Sequence, residues 1–190
     1  MAPIEHFQRW YDEAVAAGVR QPDAMTLATV AAGGTPNART VLLRGLDERG
    51  FAFYTNFESA KGEELGGHPY GALVFHWREQ ERQVRVRGPV ARVADDIADS
   101  YWASRPRGHQ LSAWASPQSR VTDEAALAAA VAELDARYGA EQPPRPPFWG
   151  GFVVAVDELE LWQGRPDRLH ERRYFRRSGQ GGWVEERLAP

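Results

Sequence analysis

Short runs rich in β-branched and aromatic residues, separated by turn signals, constrain the fold of this chain more than any other feature. They predict five strands, over residues 25–30, 39–44, 51–55, 72–77 and 83–93. Turn-forming sequences such as Gly33-Gly34 and Arg78-Glu79-Gln80 separate most of these runs. Many short antiparallel strands with few helices are typical of a closed or partly closed β-barrel. We therefore predict a mainly β fold with flanking helices.

Helical spacing of apolar residues marks three further segments. The predicted helices span residues 3–17, 95–104 and about 123–138. Arg105-Pro106 is expected to end the second helix, and Thr122 is the predicted N-cap of the third. The third helix carries an apolar stripe that we expect to pack in the core. This stripe consists of Leu127, Val131, Leu134 and Tyr138.

The remaining C-terminal sequence again has the character of strands. Two or three strands are predicted over about 151–163, 169–176 and 182–188, with a hairpin turn at the glycine-rich residues 179–182. The proline-rich residues 143–147 form a stiff connector rather than a domain linker, because too little chain follows them to fold alone. We therefore expect residues 1–190 to form a single domain.

The composition excludes several classes of function. The chain has 190 residues, a formal net charge of −3 and no cysteine, which rules out disulfides and thiol nucleophiles. Its five histidines lack paired metal-ligand spacing, so no metal is expected. No apolar run reaches the roughly 18 residues that span a membrane, and no signal peptide is visible; we expect a cytoplasmic protein. Arginines cluster over residues 165–177, but the chain is net acidic and no nucleic-acid partner is expected.

Alternating basic residues near the C-terminus suggest a binding site. If residues 168–172 form a strand, the side chains of Arg168, His170 and Arg172 share one face. Two guanidiniums that bracket an imidazole suit an anionic or electron-rich planar ligand. A solvated, arginine-rich strand edge explains the same pattern equally well.

Two other groups of residues have the donors needed to bind phosphate. Thr55 ends a predicted strand and Lys61, the single lysine of the chain, begins a helix; together they could cradle a phosphate. Tyr101 and Arg105 lie four residues apart on one helix face and could clamp a second phosphate. Solvated surface side chains explain the first group as well, and an aromatic–arginine packing pair explains the second. The polar pair Gln118-Ser119 could bind a cofactor or simply form a turn.

Taken in order along the chain, these motifs resemble the pyridoxamine/pyridoxine 5′-phosphate oxidase family. The resemblance covers essentially the whole chain from about Phe7. The motifs that carry it are residues 39–44, Tyr54-Thr55-Asn56, Gln83, Ser104-Arg105-Pro106-Arg107, Gln118-Ser119, Phe148-Trp149-Gly150-Gly151, Trp162-Gln163-Gly164, Arg168-Leu169-His170-Glu171-Arg172 and Arg187-Leu188-Ala189-Pro190.

The resemblance implies an FMN-binding split β-barrel that acts as a homodimer with the flavin at the subunit interface. By match to the family motifs, FMN would contact Arg39, Thr40, Val41, Leu42, Leu43, Arg44, Tyr54, Thr55, Lys61, Gln83, Gln118, Ser119, Trp162 and Arg172. Substrate would contact Arg44, Tyr101, Arg105, His109, Arg168 and His170. Arg168 and His170, the implied catalytic pair, would position and polarise the pyridine ring rather than serve as indispensable acid–base groups.

The reaction implied by the resemblance is oxidation of pyridoxamine or pyridoxine 5′-phosphate to pyridoxal 5′-phosphate. Hydride would pass from the substrate C4′ to flavin N5, and O₂ would reoxidise the flavin to give H₂O₂. Two alternatives stay open. One is a related flavin oxidase acting on another planar substrate, of the phenazine type, and the other is a non-catalytic flavin- or pyridoxal-phosphate-binding protein.

The chain departs from the family pattern at three site positions. Arg44 stands where the family usually has lysine, and His109 replaces a small hydroxyl residue in the implied phosphate pocket. Ala60 stands where an arginine normally helps to hold the flavin phosphate. The chain also begins close to its first helix, without the N-terminal arm that covers the substrate in the family, so we expect a looser closure over the site.

Overall fold

Strands dominate the computed structural model, which describes residues 2–190. The strands are β1 (Ala24–Val30), β2 (Pro36–Leu42), β3 (Gly45–Asp47), β4 (Gly50–Asn56), β5 (Tyr70–Trp77), β6 (Arg82–Arg92), β7 (Trp149–Val154), β8 (Glu158–Gln163), β9 (Glu171–Arg177) and β10 (Trp183–Arg187). The helices are α1 (Pro3–Ala16), α2 (Ala60–Gly67), α3 (Asp95–Ser104), α4 (Arg107–Ala115) and α5 (Glu124–Tyr138). Within residues 2–190, none of the helices combines the length and hydropathy needed to cross a bilayer.

The strands pair antiparallel in the order β10-β9-β8-β6-β5-β1-β2, and β7 links this sheet to β4 and β3. The long strand β6 joins the two parts. Residues 82–87 of β6 pair with β8, whereas residues 90–92 pair with β7. Gly88 lies between these two segments, and a Cβ there would come within 1.8 Å of the Ala155 carbonyl oxygen. Glycine is therefore required where β6 changes partners.

The barrel is open between β2 and β4. β4 pairs with β7 along residues 51–56, but with β3 only at residues 50–52. β2 pairs with β1 alone. Among the described strands, β4 along residues 53–56 has a ladder partner on one edge only, and so does β2, which leaves a gap in the barrel wall. This arrangement confirms the predicted fold class, a split β-barrel with flanking helices.

Aromatic packing between α1 and the barrel strands forms the centre of the core. The ring of Phe7, fully buried, lies 4.7 Å from the ring of Phe51 and 4.8 Å from that of Phe75. Trp77 closes the cluster and donates its indole N–H to the carbonyl of Pro22 at 3.0 Å. The helical periodicity of α1 therefore serves to seal the barrel interior, as a helix with one apolar face must.

The helices after β6 differ from the sequence prediction in three ways. Pro106 was predicted to end a helix, but it is also the N-cap of the unpredicted helix α4. The N-cap of α5 is Asp123 rather than Thr122, because the Asp123 carboxylate accepts the Ala126 N–H at 2.7 Å. Within Glu124–Tyr138 no residue is fully buried, so the predicted core stripe is wrong; α5 packs at the surface against α4.

The predicted row of Arg168, His170 and Arg172 on one strand face is also wrong. Residues 166–168 form a 3₁₀ turn, in which Asp167 and Arg168 have φ values of 56° and 61°. These left-handed conformations break the alternation of faces. β9 begins only at Glu171, so Arg172 alone of the three lies on a strand. The predicted segment 151–163 likewise contains two strands, β7 and β8, whereas the hairpin turn at 179–182 is confirmed.

Candidate active site

A cavity of about 720 Å³ lies in the split between β2 and β4. Helices α3 and α4 and the loop after α4 form its other walls. The cavity brings together eleven of the site residues predicted from sequence. These are Thr40, Val41, Leu42, Arg44, Tyr54, Thr55, Lys61, Tyr101, Arg105, His109 and Gln118. They come from segments up to 78 positions apart, and the open barrel edge is what makes room between them.

Donors converge at one end of the cavity, where α2 begins. The Lys61 ammonium donates to the side-chain oxygen of Gln118 at 2.8 Å and to the Ser59 hydroxyl at 3.1 Å. The Thr55 hydroxyl donates to the same Gln118 oxygen at 3.0 Å. Ser59 is the N-cap of α2, so backbone N–H groups of the first helical turn face the same region. One ammonium, one hydroxyl and a helix N-terminus together make a site for an anion.

Burial lowers the pKa of Lys61 from its ordinary 10.5 to about 8. The nearby Arg39 guanidinium contributes to this decrease, whereas the Glu64 carboxylate opposes it. A dianion bound at this end of the cavity would favour the ammonium form and raise the pKa again. The electrostatics therefore suit a phosphate at neutral pH.

Arg39, one of the predicted cofactor contacts, does not line the cavity. Its guanidinium donates to Glu64 at 2.8 Å and also to the hydroxyl of Thr29. Glu64, which sequence reasoning missed, accepts from Asn37 at 2.8 Å as well. Leu43 packs against the core, and Ser119, with φ of 71°, is likewise outside the lining.

The other end of the cavity combines aromatic rings with cations. The Tyr101 and Tyr54 rings stack with centroids 3.9 Å apart. The Arg105 guanidinium lies 4.6 Å from the centre of the Trp149 ring and donates to the His109 carbonyl at 3.1 Å. Burial lowers the pKa of Arg105, although a guanidinium stays charged at any physiological pH. Helix α4, which was not predicted from the sequence, brings His109 to this end of the cavity. Pro106 is the sequence feature that could have indicated α4, because a proline can begin a helix as well as end one.

Arg44 lies at the same end, just beyond the end of β2. Its guanidinium donates to Asp23 at 2.5 Å and to the Leu43 carbonyl at 3.0 Å. Burial opposes the charged form, but the Asp23 and Tyr101 contacts outweigh burial and raise the pKa of Arg44. Arg44 is therefore fixed in place before any ligand binds.

Five predicted site residues lie away from this cavity, on and beside the sheet of β6, β8 and β9. Gln83, Trp162 and Arg172 are cross-strand neighbours. The His170 ring is 4.7 Å from the Trp162 ring, and its Nδ1 accepts the Arg165 backbone N–H at 3.2 Å. Arg168 is exposed in the 3₁₀ turn. These residues form a second cluster, which we call the C-terminal cluster: Gln83, Trp162, Arg168, His170 and Arg172.

The chain is similar to known proteins over nearly its whole length. A family model described as "Pyridoxamine 5′-phosphate oxidase" matches residues 11–138, and one described as "Pyridoxine 5′-phosphate oxidase C-terminal dimerisation region" matches residues 149–190. A pyridoxine/pyridoxamine 5′-phosphate oxidase of Salinibacter ruber is 55% identical over 191 residues, covering 99% of this chain and 89% of the relative. One from Bordetella petrii is 52% identical over 189 residues, covering 100% and 90%.

Solved structures share the fold. PhzG from Burkholderia lata 383, in complex with tetrahydrophenazine-1-carboxylic acid, superposes with a TM-score of 0.93 at 34% identity, covering 100% of this chain and 93% of that one. A pyridoxamine 5′-phosphate oxidase-related, FMN-binding protein from Nostoc punctiforme has a TM-score of 0.73 at 18% identity, covering 95% and 97%. The fold and these relatives define the class: the chain is a split-barrel oxidoreductase. More narrowly, it belongs to the pyridoxamine 5′-phosphate oxidase family.

Proposed function

We propose that this enzyme oxidises pyridoxamine and pyridoxine 5′-phosphates to pyridoxal 5′-phosphate, with FMN as cofactor, O₂ as electron acceptor and H₂O₂ as product. The observation that carries the proposal is the presence of two separate cationic ends in one cavity. Lys61 and Thr55 mark one end, and Arg105 and Tyr101 mark the other. FMN and a B6 vitamer phosphate each bring one phosphate group, and each end suits one of them.

FMN fits the end formed by α2 and the open strand edges. Lys61, Thr55 and Gln118 would hold its phosphate, and the backbone of residues 40–42 together with Tyr54 would face the rest of the molecule. When bound, FMN supplies the hydride acceptor and passes the electrons on to O₂. The Arg39 guanidinium donates to Glu64 and does not line the cavity. Arg39 would therefore add positive charge near the FMN phosphate without contacting it.

The substrate phosphate fits the other end. Arg105 and Arg44 supply two positive charges there, and the Tyr101 hydroxyl and His109 imidazole supply further donors. The stacked rings of Tyr54, Tyr101 and Trp149 give this end a flat aromatic wall. Because Arg44 is already held by Asp23, it is preorganised for an anion.

We further propose that the C-terminal cluster completes the cavity of a second copy of the chain, so that FMN lies at the interface of a homodimer. Four of its five residues fall within the region matched by the dimerisation model, and Gln83 is the cross-strand neighbour of Trp162. In this arrangement Arg168 and His170 would position and polarise the substrate ring, and Trp162 and Arg172 would face the flavin. Each 190-residue chain would act as one domain that contributes to two sites.

Two alternatives are distinguished by substrate. The similarity to PhzG favours a phenazine-type substrate, but a ligand with a single carboxylate would supply less negative charge than a phosphate dianion to Arg105, which has no carboxylate partner among residues 2–190. A flavin-binding protein without catalysis would hold FMN that no B6 vitamer can reduce.

Anaerobic mixing of the FMN-loaded protein with pyridoxine 5′-phosphate tests the proposal. We expect the yellow flavin absorbance to bleach, and admission of O₂ to restore it with formation of H₂O₂. A protein that binds FMN but is bleached only by a dihydrophenazine would be the phenazine-type oxidase. A protein whose flavin neither compound bleaches would contradict the proposed activity.

A further inference from the structure

A buried carboxylate on β8 lies outside the cavity and has no role in the function proposed above. The side chain of Glu160 is only 7% exposed, yet it lies between two arginines of neighbouring strands. Its two oxygens accept from Arg172 at 2.7 Å and from Arg85 at 3.2 Å. Two guanidiniums thus pair with this carboxylate, as a buried charge requires. Leu159 and Leu161 point to the core, so Glu160 points to the opposite face of β8, where it is nevertheless buried.

The guanidinium of Arg172 is held from two directions. Its Nε donates to Glu160, and its Nη1 donates to the carbonyl of Ala189 at 2.9 Å. The backbone carbonyl of Arg172 also accepts the N–H of Leu188 at 3.1 Å. The last residues of the chain are thus fixed to β9 by one side-chain and one backbone hydrogen bond, and the guanidinium plane has little freedom to turn.

Stability alone does not account for this arrangement. Exchange of a buried ion pair for apolar residues of similar size is often neutral or stabilising, so the pair is weak evidence of a purely structural role. What the pair does determine is orientation, because a guanidinium bonded through Nε and Nη1 has a defined plane. Arg172 is the cross-strand neighbour of Trp162, so its orientation is set relative to the rest of the C-terminal cluster.

We propose that Glu160 and the Ala189 carbonyl are positioning groups, which hold the Arg172 guanidinium in the orientation required by the flavin site. This inference rests on the proposed function, in which Arg172 reaches the FMN held by the cavity of the partner subunit. Both oxygens of Glu160 are bonded to arginines, so Glu160 itself would contact neither FMN nor substrate. Its effect on the flavin therefore passes entirely through Arg172.

A double-mutant cycle measures that dependence. FMN is removed from the wild type, E160Q, R172M and E160Q/R172M, and its dissociation constant is then measured by flavin fluorescence quenching. We expect E160Q to raise this constant about tenfold, because a neutral amide holds the guanidinium less firmly than a carboxylate. We expect no further rise when E160Q is added to R172M, since the group that Glu160 orients is already absent.

Two further variants guard against a folding artefact. E158Q is the matched control: Glu158 lies two residues earlier on the same strand face and binds Arg87 instead. It should leave FMN affinity within about twofold of wild type. Removal of Ala189 and Pro190 leaves Glu160 untouched but deletes the second contact of Arg172, and should weaken FMN about threefold, again only when Arg172 is present. Sedimentation velocity records whether each variant keeps the wild-type assembly state.

The outcomes separate the two proposals. If the wild type binds FMN but E160Q raises the dissociation constant equally in both backgrounds, Glu160 acts through the fold or the subunit contact, and the inference is overturned. If E160Q has no effect while R172M weakens FMN, the inference is also overturned. If the wild type does not bind FMN at all, the proposed function itself fails, and the inference fails with it.

Discussion

The cavity in the barrel split and the outer face of β6, β8 and β9 are both rich in arginine, but they neutralise charge differently. On the sheet face each guanidinium has a carboxylate close by: Arg85 and Arg172 share Glu160, and Arg87 binds Glu158. In the cavity, neither Lys61 nor Arg105 has a carboxylate within 4.0 Å among residues 2–190. Arg44, paired with Asp23, is the exception.

This difference separates charge used for ligand binding from charge used for construction. An unneutralised cation in a half-buried cavity is costly without a counter-ion and favourable with one. A cation already paired within the sheet offers an external ligand an oriented donor rather than net positive charge. We infer that the cavity supplies the binding energy for two phosphates, and that the sheet face supplies fixed orientation. The following substitutions test this division.

Loss of the Arg105 charge should have the largest effect. We expect R105M to raise the KM for pyridoxine 5′-phosphate about 100-fold with a smaller change in kcat, because a charge-assisted contact to phosphate is lost. Steady-state kinetics measure both constants. R107M is the matched control, since Arg107 is bound to Asp135 outside the cavity and should leave KM unchanged. Equal increases in KM for R105M and R107M would contradict a specific role of the cavity cations in binding the substrate phosphate.

Addition of a charge at Ala60 should have the next largest effect. Ala60 is the first residue of α2 and precedes Lys61, so an arginine there would add a cation at the proposed FMN phosphate end. We expect A60R to tighten FMN binding by about one to two decades, the free energy of one charge-assisted contact. A60Q, which lengthens the side chain without charge, controls for packing. An unchanged dissociation constant in A60R would count against the assignment of this end to FMN.

The pH dependence of FMN affinity should report the ionisation of Lys61. The pKa of Lys61 in the free protein is about 8, so binding of phosphate above that pH requires uptake of a proton. Affinity should be constant near pH 7 and fall by up to about tenfold per pH unit above pH 8. K61R keeps its charge, so its dissociation constant should stay flat to pH 10. A wild-type constant equally flat to pH 9.5 would show that Lys61 does not meet the phosphate.

The smallest effect concerns the stability of the FMN-free protein. The folded-state pKa of Lys61 lies below its unfolded value of 10.5, so the unfolded state binds more protons between about pH 8 and 10.5. The free energy of unfolding should therefore rise with pH in that window, and the buried ammonium destabilises the protein below it. K61M should raise the Tm of the apoprotein at pH 7 by about 2–4 °C while weakening FMN binding. A lower Tm in K61M would contradict this picture.

Local features of the sequence predicted most elements of the fold, because strand and helix periods are local properties. The errors arise where a local rule has two outcomes. Pro106 both ends α3 and begins α4, and only the second role places His109 in the cavity. Left-handed φ values in the turn before β9 break the apparent alternation of residues 168–172. No glycine at these positions indicates such a turn in the sequence.

The site was harder to derive than the fold, because its geometry depends on distant contacts. Lys61 and Gln118 are 57 positions apart and meet only when the loop after α4 closes over the barrel split. The same holds for Glu160, whose partners Arg85 and Arg172 come from the two neighbouring strands. Resemblance to the family motifs identified most of the site residues. Tertiary contacts determine the direction of the Arg39 side chain and the orientation of the Arg172 guanidinium, and the motifs do not contain that information.

Complementation between two defective chains tests whether one chain supplies the cavity and its partner supplies the C-terminal cluster. R105M impairs the cavity and R168M impairs the cluster, so each variant alone should be nearly inactive at low pyridoxine 5′-phosphate. Co-expression of the two produces mixed dimers in which one of the two sites is intact. Random assembly then predicts recovery of about a quarter of wild-type activity, since half the dimers are mixed. Activity no greater than the mean of the two separate variants would contradict the shared site.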